Sequence, residues 1–170
     1  MGWGSRGMIA IELVNDQNEK ELLKINRGEI PLEYVESVEY TLMLHHLGQE
    51  KELQGMCFAI QYQKEYVGII LIGEAILEDY EPVEVRYRKP FRVIGFVIDD
   101  NYRGIGIGSK AFEMILERFY EEYGNRPLLL ECHERNLGAI AFYERFGFVR
   151  TGIRVGDDCI MLKMDKSVRC

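Results

Sequence analysis

The sequence lacks several features that would place it in a specialised class of protein. No apolar run approaches the length needed to span a bilayer, and the opening "MGWGSRGMIAIEL" lacks the apolar core of a signal peptide. The four cysteines are far apart and form no CxxC pair, which favours reduced thiols in a cytoplasmic protein. No internal repeat or low-complexity linker is present. We therefore expect a cytoplasmic protein with no membrane partner, in which residues 1–170 form one domain.

Positive charge is also in short supply. The chain has 28 Asp and Glu against 21 Lys and Arg, which gives a net charge of −7 and a pI near 5.1. This balance argues against a nucleic-acid partner and suits a cationic substrate, although acidity also serves solubility alone. With 47% hydrophobic residues the composition is that of a globular domain. The glycine-rich residues 1–7 are interpreted as a disordered or non-native extension.

Hydrophobic periodicity and turn signals predict the element order β-α-α-β-β-β-α-β-α-β-β, which indicates an α+β fold with a mixed sheet. Asn15 or Asp16 is predicted to cap the first helix, Pro31 to begin the second and Gly48 to end it. The polar residues 78–90 are interpreted as a long loop or a ragged hairpin. The predicted strands are 8–14, 56–63, 65–77, 91–99, 128–132, 148–155 and 159–165, and the predicted helices are 15–26, 31–47, 106–123 and 137–147.

The stretch "NYRGIGIGSK", residues 101–110, places three glycines at alternate positions between a predicted strand and a predicted helix. Glycines before a helix N-terminus let several amides converge on one anion, and Arg103 and Lys110 would add charge-assisted contacts. A flexible structural turn is the alternative. The GxGxG spacing differs from the GxGxxG of dinucleotide sites, and Ser109-Lys110 reverses the order of a Walker A loop. Both of those phosphate motifs are therefore excluded.

Two linked motifs resemble the GNAT superfamily of N-acetyltransferases. Residues 103–108, "RGIGIG", match its R/Q-x-x-G-x-G/A loop. The stretch "NLGAIAFYERFGF", with Asn136, Ala139 and Tyr143, is similar to its N-x-x-A-x-x-x-Y-x-x-x-G-F signature. The resemblance runs from about residue 92 to 148, and the rest agrees in element order. It implies a GNAT fold: a mixed, mostly antiparallel sheet of about seven strands with a splayed pair, flanked by four helices.

The resemblance further implies acetyl-CoA as co-substrate, with no metal. Backbone amides of residues 103–109 would hold its pyrophosphate at a helix N-terminus, and the end of the preceding strand would pair with the pantetheine arm. Asn136 resembles the side chain that binds this arm at the start of the short helix. The implied cofactor-binding residues are Phe96, Val97, Ile98, Arg103, Gly104, Ile105, Gly106, Ile107, Gly108, Ser109, Asn136 and Tyr143.

Acetylation of an amine needs a base for the ammonium, a donor for the developing oxyanion and an acid for the departing thiolate. By its match to the family tyrosine, Tyr143 is the expected acid, and a purely structural core aromatic is the alternative. A backbone N–H near Val97 or Ile98 is expected to polarise the carbonyl.

The base stays open, because the strand before the glycine loop has no acid until Asp99, where some relatives carry a glutamate. Glu74, inside the apolar run "IILIGEAIL", is the first candidate, since carboxylates are rarely placed in such a run without a reason. Its alternative is an edge-strand glutamate facing water. Glu131 is the second candidate, with an arginine ion pair as its alternative. A base that acts through ordered water would leave no trace in the sequence.

Several acids follow the strand that contains Glu74 and would suit a polyamine or another small cation, although Arg86, Arg88 and Lys89 come directly after them. Peptide N-termini, aminoglycosides and amino acids also remain open as acceptors. The adjacent His45-His46 pair cannot face one metal ion, and His133 is interpreted as a surface loop histidine. The acids at the end of the strand and in the loop that follows it are Glu74, Glu78, Asp79, Glu81 and Glu84.

The predicted function is acetyl transfer from acetyl-CoA to a primary amine by direct attack, with a polyamine-like cation favoured and a peptide as the other acceptor. The alternative is a non-catalytic acyl-CoA-binding regulatory module, and acetylation of oxygen is a weaker third. A homodimer is possible, since relatives often pair through sheet edges or helices.

Overall fold

The computed structural model describes residues 7–166, so residues 1–6 of the proposed N-terminal extension lie outside the described chain. Within this part, seven strands form one mixed sheet in the order β1-β2-β3-β4-β5-β7-β6. Every neighbouring pair is antiparallel except β4 and β5, which are parallel. The strands are β1 (Ile9–Leu13), β2 (Gly55–Tyr62), β3 (Glu65–Glu74), β4 (Phe91–Ile98), β5 (Leu128–His133), β6 (Val149–Val155) and β7 (Asp158–Lys163).

Four α-helices accompany the sheet in the described chain, which confirms the predicted α+β fold and its element order. No helix in residues 7–166 has the length and apolar character that a membrane crossing requires. The helices are α1 (Glu19–Leu22), α2 (Val38–Glu50), α3 (Ile107–Tyr123) and α4 (Leu137–Arg145).

Several predicted boundaries are wrong. The second helix begins at Val38 and not at Pro31, because the side chain of Ser37 accepts the Tyr40 N–H at 3.1 Å and caps the helix there. It also continues past Gly48 to Glu50. The first helix is reduced to residues 19–22, since the residues before it form a turn held by asparagine side chains. Strand β3 ends at residue 74 and not at 77.

The sheet separates two apolar cores. On one face, α3 and α4 bury a large cluster that includes Phe112, Phe119 and Phe146. On the other face, α1 and α2 cover a smaller cluster that includes Leu22 and Leu42. The segment 75–90, predicted as a loop, carries one short 3-10 turn and packs through Val85 against β5 and β7. In the described chain, the central strands therefore lie between two layers of helices.

The middle of the sheet is opened by two departures from regular pairing. Strand β4 pairs with β5 at Phe91–Leu128 and Arg92–Leu129, after which the two strands separate. Strand β4 also carries a bulge at Gly95, whose φ of +68° is in the left-handed region. A Cβ atom there would lie 2.1 Å from Oγ1 of Thr41 on α2, so only glycine fits both the backbone and the helix contact.

We predict that Gly95→Ala lowers the free energy of unfolding by about 2–5 kcal/mol, because the left-handed backbone and the collision with Thr41 both add cost. Denaturant unfolding measures this loss. Gly73→Ala on the neighbouring strand is the matched control, since its new methyl group would meet no atom within 4 Å. Equal stability of the two variants would contradict the bulge requirement.

Candidate active site

A cavity of about 870 Å³ occupies the gap between β4 and β5. We refer to it as the main cavity. Its walls come from both separated strands, from the start of α3, from α4 and from residues 29–36 of the segment that connects α1 to α2. The chain thus brings together, at one opening through the sheet, motifs that are far apart in sequence. All the predicted cofactor-binding residues line this cavity except Ile105, whose side chain is exposed outside it.

One end of the main cavity is built to receive an anion. Gly104 and Gly106 have φ values of +76° and +86°, and Gly106 is the N-cap of α3. The helical hydrogen-bond ladder begins at Lys110, whose N–H reaches the Gly106 carbonyl at 3.2 Å. The amides of the first helical turn before it therefore need an outside partner, and the helix dipole adds positive potential. This arrangement fits a pyrophosphate group.

The side chain of Arg103, predicted to contact phosphate, also makes three hydrogen bonds within the protein. Its guanidinium donates to the Ile98 carbonyl at 2.8 Å, to the Arg27 carbonyl at 2.9 Å and to Asp100 Oδ1 at 2.9 Å. Those contacts use one N–H of each guanidinium nitrogen and tie the glycine loop to the end of β4. Lys110 pairs with Glu113 on the exposed side of α3 and does not line the cavity. Within the described chain, the backbone amides of the loop are therefore the main hydrogen-bond donors that could bind an anion.

Arg27 extends this tie to the segment that connects α1 to α2. Its guanidinium donates to the Val35 carbonyl at 2.8 Å and to the carbonyl of Glu36. The buried Asp99 holds the same segment from the other side, because its Oδ2 accepts the N–H of Asn26 at 2.8 Å. Residues 29–36, which line the main cavity, are therefore positioned by the glycine loop itself.

The end of β4 presents backbone groups to the main cavity. The Asp99 N–H donates to the Val67 carbonyl of β3 at 2.7 Å, and Val97 pairs in register with Ile69. Because hydrogen-bonding direction alternates along the regular strand beyond the bulge, the Val97 N–H faces β3 and the Ile98 N–H faces the gap. Of the two predicted carbonyl-polarising positions, Ile98 is thus the one the backbone geometry favours.

Tyr143 and Asn136 lie on α4 beside the gap. The Tyr143 ring packs edge-on against Phe112 and Phe148, at 5.8 and 5.6 Å between ring centroids, and its hydroxyl has no hydrogen-bond partner among the described residues. Burial, and then the neighbouring Cys132, raise the pKa of Tyr143 above its ordinary value. Asn136 caps α4 by accepting the Ala139 N–H at 3.3 Å, which leaves its amide hydrogens for a ligand.

The two candidate bases are separated by the fold. Glu131 of β5 lines the main cavity, and its pKa is raised chiefly by burial. Glu74 ends β3, an interior strand, so it is not the edge residue considered as its alternative. Its Oε2 accepts the Gln54 N–H at 3.1 Å, and it lines a separate cavity of about 280 Å³. The structure does not bring Glu74 to the main cavity.

The predicted acceptor acids also lie elsewhere. The segment 75–90 packs on β5 and β7, which draws Glu78, Asp79 and Glu84 away from the gap, and Glu81 is buried in an ion pair with Arg92. Acids of the connecting segment take their place, together with two from the sheet and one from the 3-10 turn that follows β4. The carboxylates that line the main cavity are Glu29, Glu33, Glu36, Asp100, Glu131 and Asp158.

The histidines do not form a site in the described chain. The Nε2 atom of His46 contacts Glu19 Oε1 at 2.8 Å, while His45 lines the smaller cavity. His133 is buried as the last residue of β5 and packs on Tyr34, so its interpretation as a surface loop histidine is wrong. No group of three His, Cys, Asp or Glu side chains in residues 7–166 could hold a metal ion.

The fold and the site define a class: a sheet that opens between two parallel strands, with a glycine turn and a helix N-terminus at the opening. The Acetyltransferase (GNAT) family model matches residues 20–148, so this chain belongs to that family of acetyltransferases. The family and the fold predicted from the two motifs are confirmed.

Two curated relatives and one solved structure show what kinds of acetyltransferase this chain is similar to. The chain is 28% identical over 145 residues to a spermine/spermidine N(1)-acetyltransferase of Bacillus subtilis, covering 85% of this chain and 90% of the relative. It is 26% identical over 129 residues to an N-alpha-acetyltransferase of Sulfurisphaera tokodaii, covering 75% and 72%. The structure of aminoglycoside acetyltransferase AAC(6')-Ib with coenzyme A superposes with a TM-score of 0.72 at 17% identity, covering 94% and 96%, which shows the shared fold.

We predict that Gly106→Ala weakens acetyl-CoA binding by about five- to thirtyfold, because a left-handed N-cap costs a residue with a Cβ atom about 1–2 kcal/mol. Isothermal titration calorimetry with acetyl-CoA measures the Kd. Gly108→Ala is the control and should bind almost normally, since its methyl group would meet Ile98 at an ordinary 3.6 Å. Equal loss in both variants would contradict the role given to the Gly106 conformation.

Proposed function

We propose that the protein transfers the acetyl group of acetyl-CoA to a primary amine of a small cationic molecule, with a polyamine-like acceptor favoured. The observation that carries this proposal is the main cavity itself, which joins an amide-lined anion site to a wall of carboxylates through one gap in the sheet. A polyanionic donor and a polycationic acceptor would each meet the end that complements it. The names of the Bacillus relative and of the family support the same chemistry.

The residues that would hold acetyl-CoA are those of the opening between β4 and α3. The amides of residues 104–109 would bind the pyrophosphate, the exposed edge of β4 would pair with the pantetheine arm, and the Asn136 amide would donate to that arm. When bound, acetyl-CoA supplies the activated acetyl group as a thioester. The Ile98 N–H faces the place where charge would develop on the acetyl oxygen and would stabilise it.

Glu131 is the group we assign to remove the proton from the acceptor ammonium. Its raised pKa makes the carboxylate a stronger base than an ordinary glutamate, and its side chain is 36% exposed, so the proton can pass on to water. Asp158, which also lines the cavity, has a pKa raised by burial and adds to the negative wall. An ammonium would therefore be drawn in before it is deprotonated.

Tyr143 would stabilise the departing thiolate. Because its pKa is raised, the hydroxyl keeps its proton at every working pH and can donate a hydrogen bond to sulfur. Complete transfer of the proton to a thiolate would be uphill, since an ordinary thiol has a pKa of about 8.5. Cys132 also lines the cavity, but burial and the neighbouring Cys159 raise its pKa to about 12. Cys132 therefore stays a neutral thiol, which favours direct attack by the amine over an acyl-cysteine route.

The acceptor end is strongly negative. Its carboxylates include Glu29, Glu33 and Glu36, all exposed on the segment that Arg27 holds in place. The arginines that line the cavity, Arg92 and Arg103, are each already paired with a carboxylate. A cation with several spaced amines would form ion pairs with several carboxylates along this wall, whereas a neutral acceptor would form none. This contrast is our reason for favouring a polyamine over a neutral amine.

The proposal is tested by thiol release from acetyl-CoA with spermidine, lysine, an aminoglycoside and short peptides as acceptors. We expect turnover with spermidine and a loss of about 10²-fold in kcat for Tyr143→Phe at unchanged acetyl-CoA affinity. Tyr120→Phe is the matched control, because that hydroxyl bonds to the Asp165 carbonyl outside the cavity. Equal activity of Tyr143→Phe would exclude its role. Tight acetyl-CoA binding without turnover on any amine would favour the non-catalytic module.

A second prediction concerns the negative wall. Replacing Glu33 and Glu36 together by Gln should raise the KM for spermidine by about fivefold or more, because each exposed carboxylate contributes up to about 1 kcal/mol to a cation. The KM for acetyl-CoA should not change. Glu78→Gln, on the exposed segment away from the cavity, is the control in steady-state kinetics. An unchanged KM for spermidine in the double variant would show that the acceptor does not bind at Glu33 and Glu36.

A further inference from the structure

A buried ion pair lies directly behind the acceptor end of the main cavity. Glu81 of the segment 75–90 has a completely buried side chain, and its Oε1 contacts an NH2 nitrogen of Arg92, the second residue of β4. The other terminal nitrogen, NH1, lies 3.9 Å from Oε1 of Glu131, which is within ion-pair range but beyond hydrogen-bond distance. Neither this nitrogen nor the second oxygen of Glu81 has a hydrogen-bond partner in the described chain.

This ion pair contributes little net free energy to holding the segment 75–90 on the sheet. Burying two opposite charges commonly costs more than their attraction returns, and an apolar pair of the same size is often as stable. The segment is already attached through Val85, which is fully buried against Leu129 and Leu162. The ion pair is therefore better explained by a role in the active site than by a contribution to the stability of the fold.

The neighbouring Glu131 supplies that explanation. An unpaired Arg92 guanidinium beside this carboxylate would form a charge-assisted hydrogen bond with it and hold it in the ionised state. A carboxylate held so would be a poor base. We propose that Glu81 is a positioning residue, whose buried carboxylate pairs with Arg92 and compensates its charge, and so leaves Glu131 able to accept the proton of the attacking amine. This inference rests on the proposed function, in which Glu131 is the base.

The charges around Glu131 agree with this assignment. Arg92 faces it from β4, Asp158 from β7 and Glu36 from the segment between α1 and α2, while Glu81 and Tyr80 face it from the segment 75–90. Burial is the largest cause of the raised pKa of Glu131, and Arg92 opposes it. Asp158, Glu81 and Glu36 raise the pKa further. Removing the charge of Glu81 would remove one of these contributions and would leave Arg92 uncompensated.

The test is a titration of the Glu131 carboxyl carbon by ¹³C NMR in the full chain, with the signal assigned by its loss in Glu131→Gln. In Glu81→Gln the pKa of Glu131 should fall by about one unit or more, a tenfold change in proton affinity, because Arg92 becomes an unpaired neighbour. In Arg92→Gln it should rise, because Glu81 then adds an unopposed negative charge. The double variant, which removes both charges, should return close to the wild-type value.

The acid limb of the pH profile of kcat/KM for spermidine should move with the titration: to lower pH in Glu81→Gln, to higher pH in Arg92→Gln and back in the double variant. Glu84→Gln, an exposed neighbour in the same segment, is the control and should move neither readout. If Glu81→Gln does not fold, Arg92→Gln and the double variant still carry different expectations, a raised pKa of Glu131 in the first and a pKa close to the wild-type value in the second.

Shifts of the same sign in the two single variants, or no shift in folded protein, would overturn the inference. A titration that moves while the pH profile stays still would show that Glu131 is not the base, and would overturn the positioning role while acetyl transfer stands. A titration that moves as expected in a protein without turnover on any amine would contradict the proposed function and leave the electrostatic role of Glu81 intact. The two failures are therefore distinguishable.

Discussion

The separation of β4 from β5 after two paired positions is the constraint on which the rest of the structure depends. Backbone groups that lose their ladder partners cost free energy unless water or a ligand satisfies them, so a sheet opens in its centre only where the opening has a use. The opening is maintained from both sides. The Gly95 bulge, seated under Thr41, turns the end of β4, and β5 keeps its full pairing with β7. The cavity is thus a consequence of two strands that are each held by their other neighbour.

The two ends of the cavity are mechanically connected. Arg103 joins the glycine loop to the end of β4 and to the Arg27 carbonyl, and Arg27 in turn holds the carbonyls of Val35 and Glu36. The glycine loop and the acidic segment of residues 29–36 are therefore parts of one hydrogen-bonded unit. Such a connection suits a reaction of two substrates, because the second site is completed where the first is formed.

The electrostatics of the cavity change sign along its length. A helix N-terminus and free amides at one end favour phosphate, whereas carboxylates at the other end favour an ammonium. Between them, burial raises the pKa values of both Glu131 and Tyr143, which makes the carboxylate more basic and keeps the hydroxyl protonated. Placing a basic carboxylate beside Arg92 is possible because a second, buried carboxylate already accompanies that arginine. In our proposal, function at this site therefore draws on a residue that does not line the main cavity.

Local sequence determined those parts of the protein whose physics is local. The motif of residues 103–108 and the asparagine–tyrosine helix identified the family, the glycine turn and the α3 N-terminus, because positive φ values and free amides follow from the glycines and the strand-to-helix change themselves. Only the tertiary structure decided which acids line the main cavity. The roles expected of Glu74 and of the acids in residues 78–84 depended on where β3 ends and on which strands the following segment covers. No periodicity encodes the path of a connecting segment, so residues 29–36, Arg27 and the Glu81–Arg92 pair became visible only when distant elements were packed together.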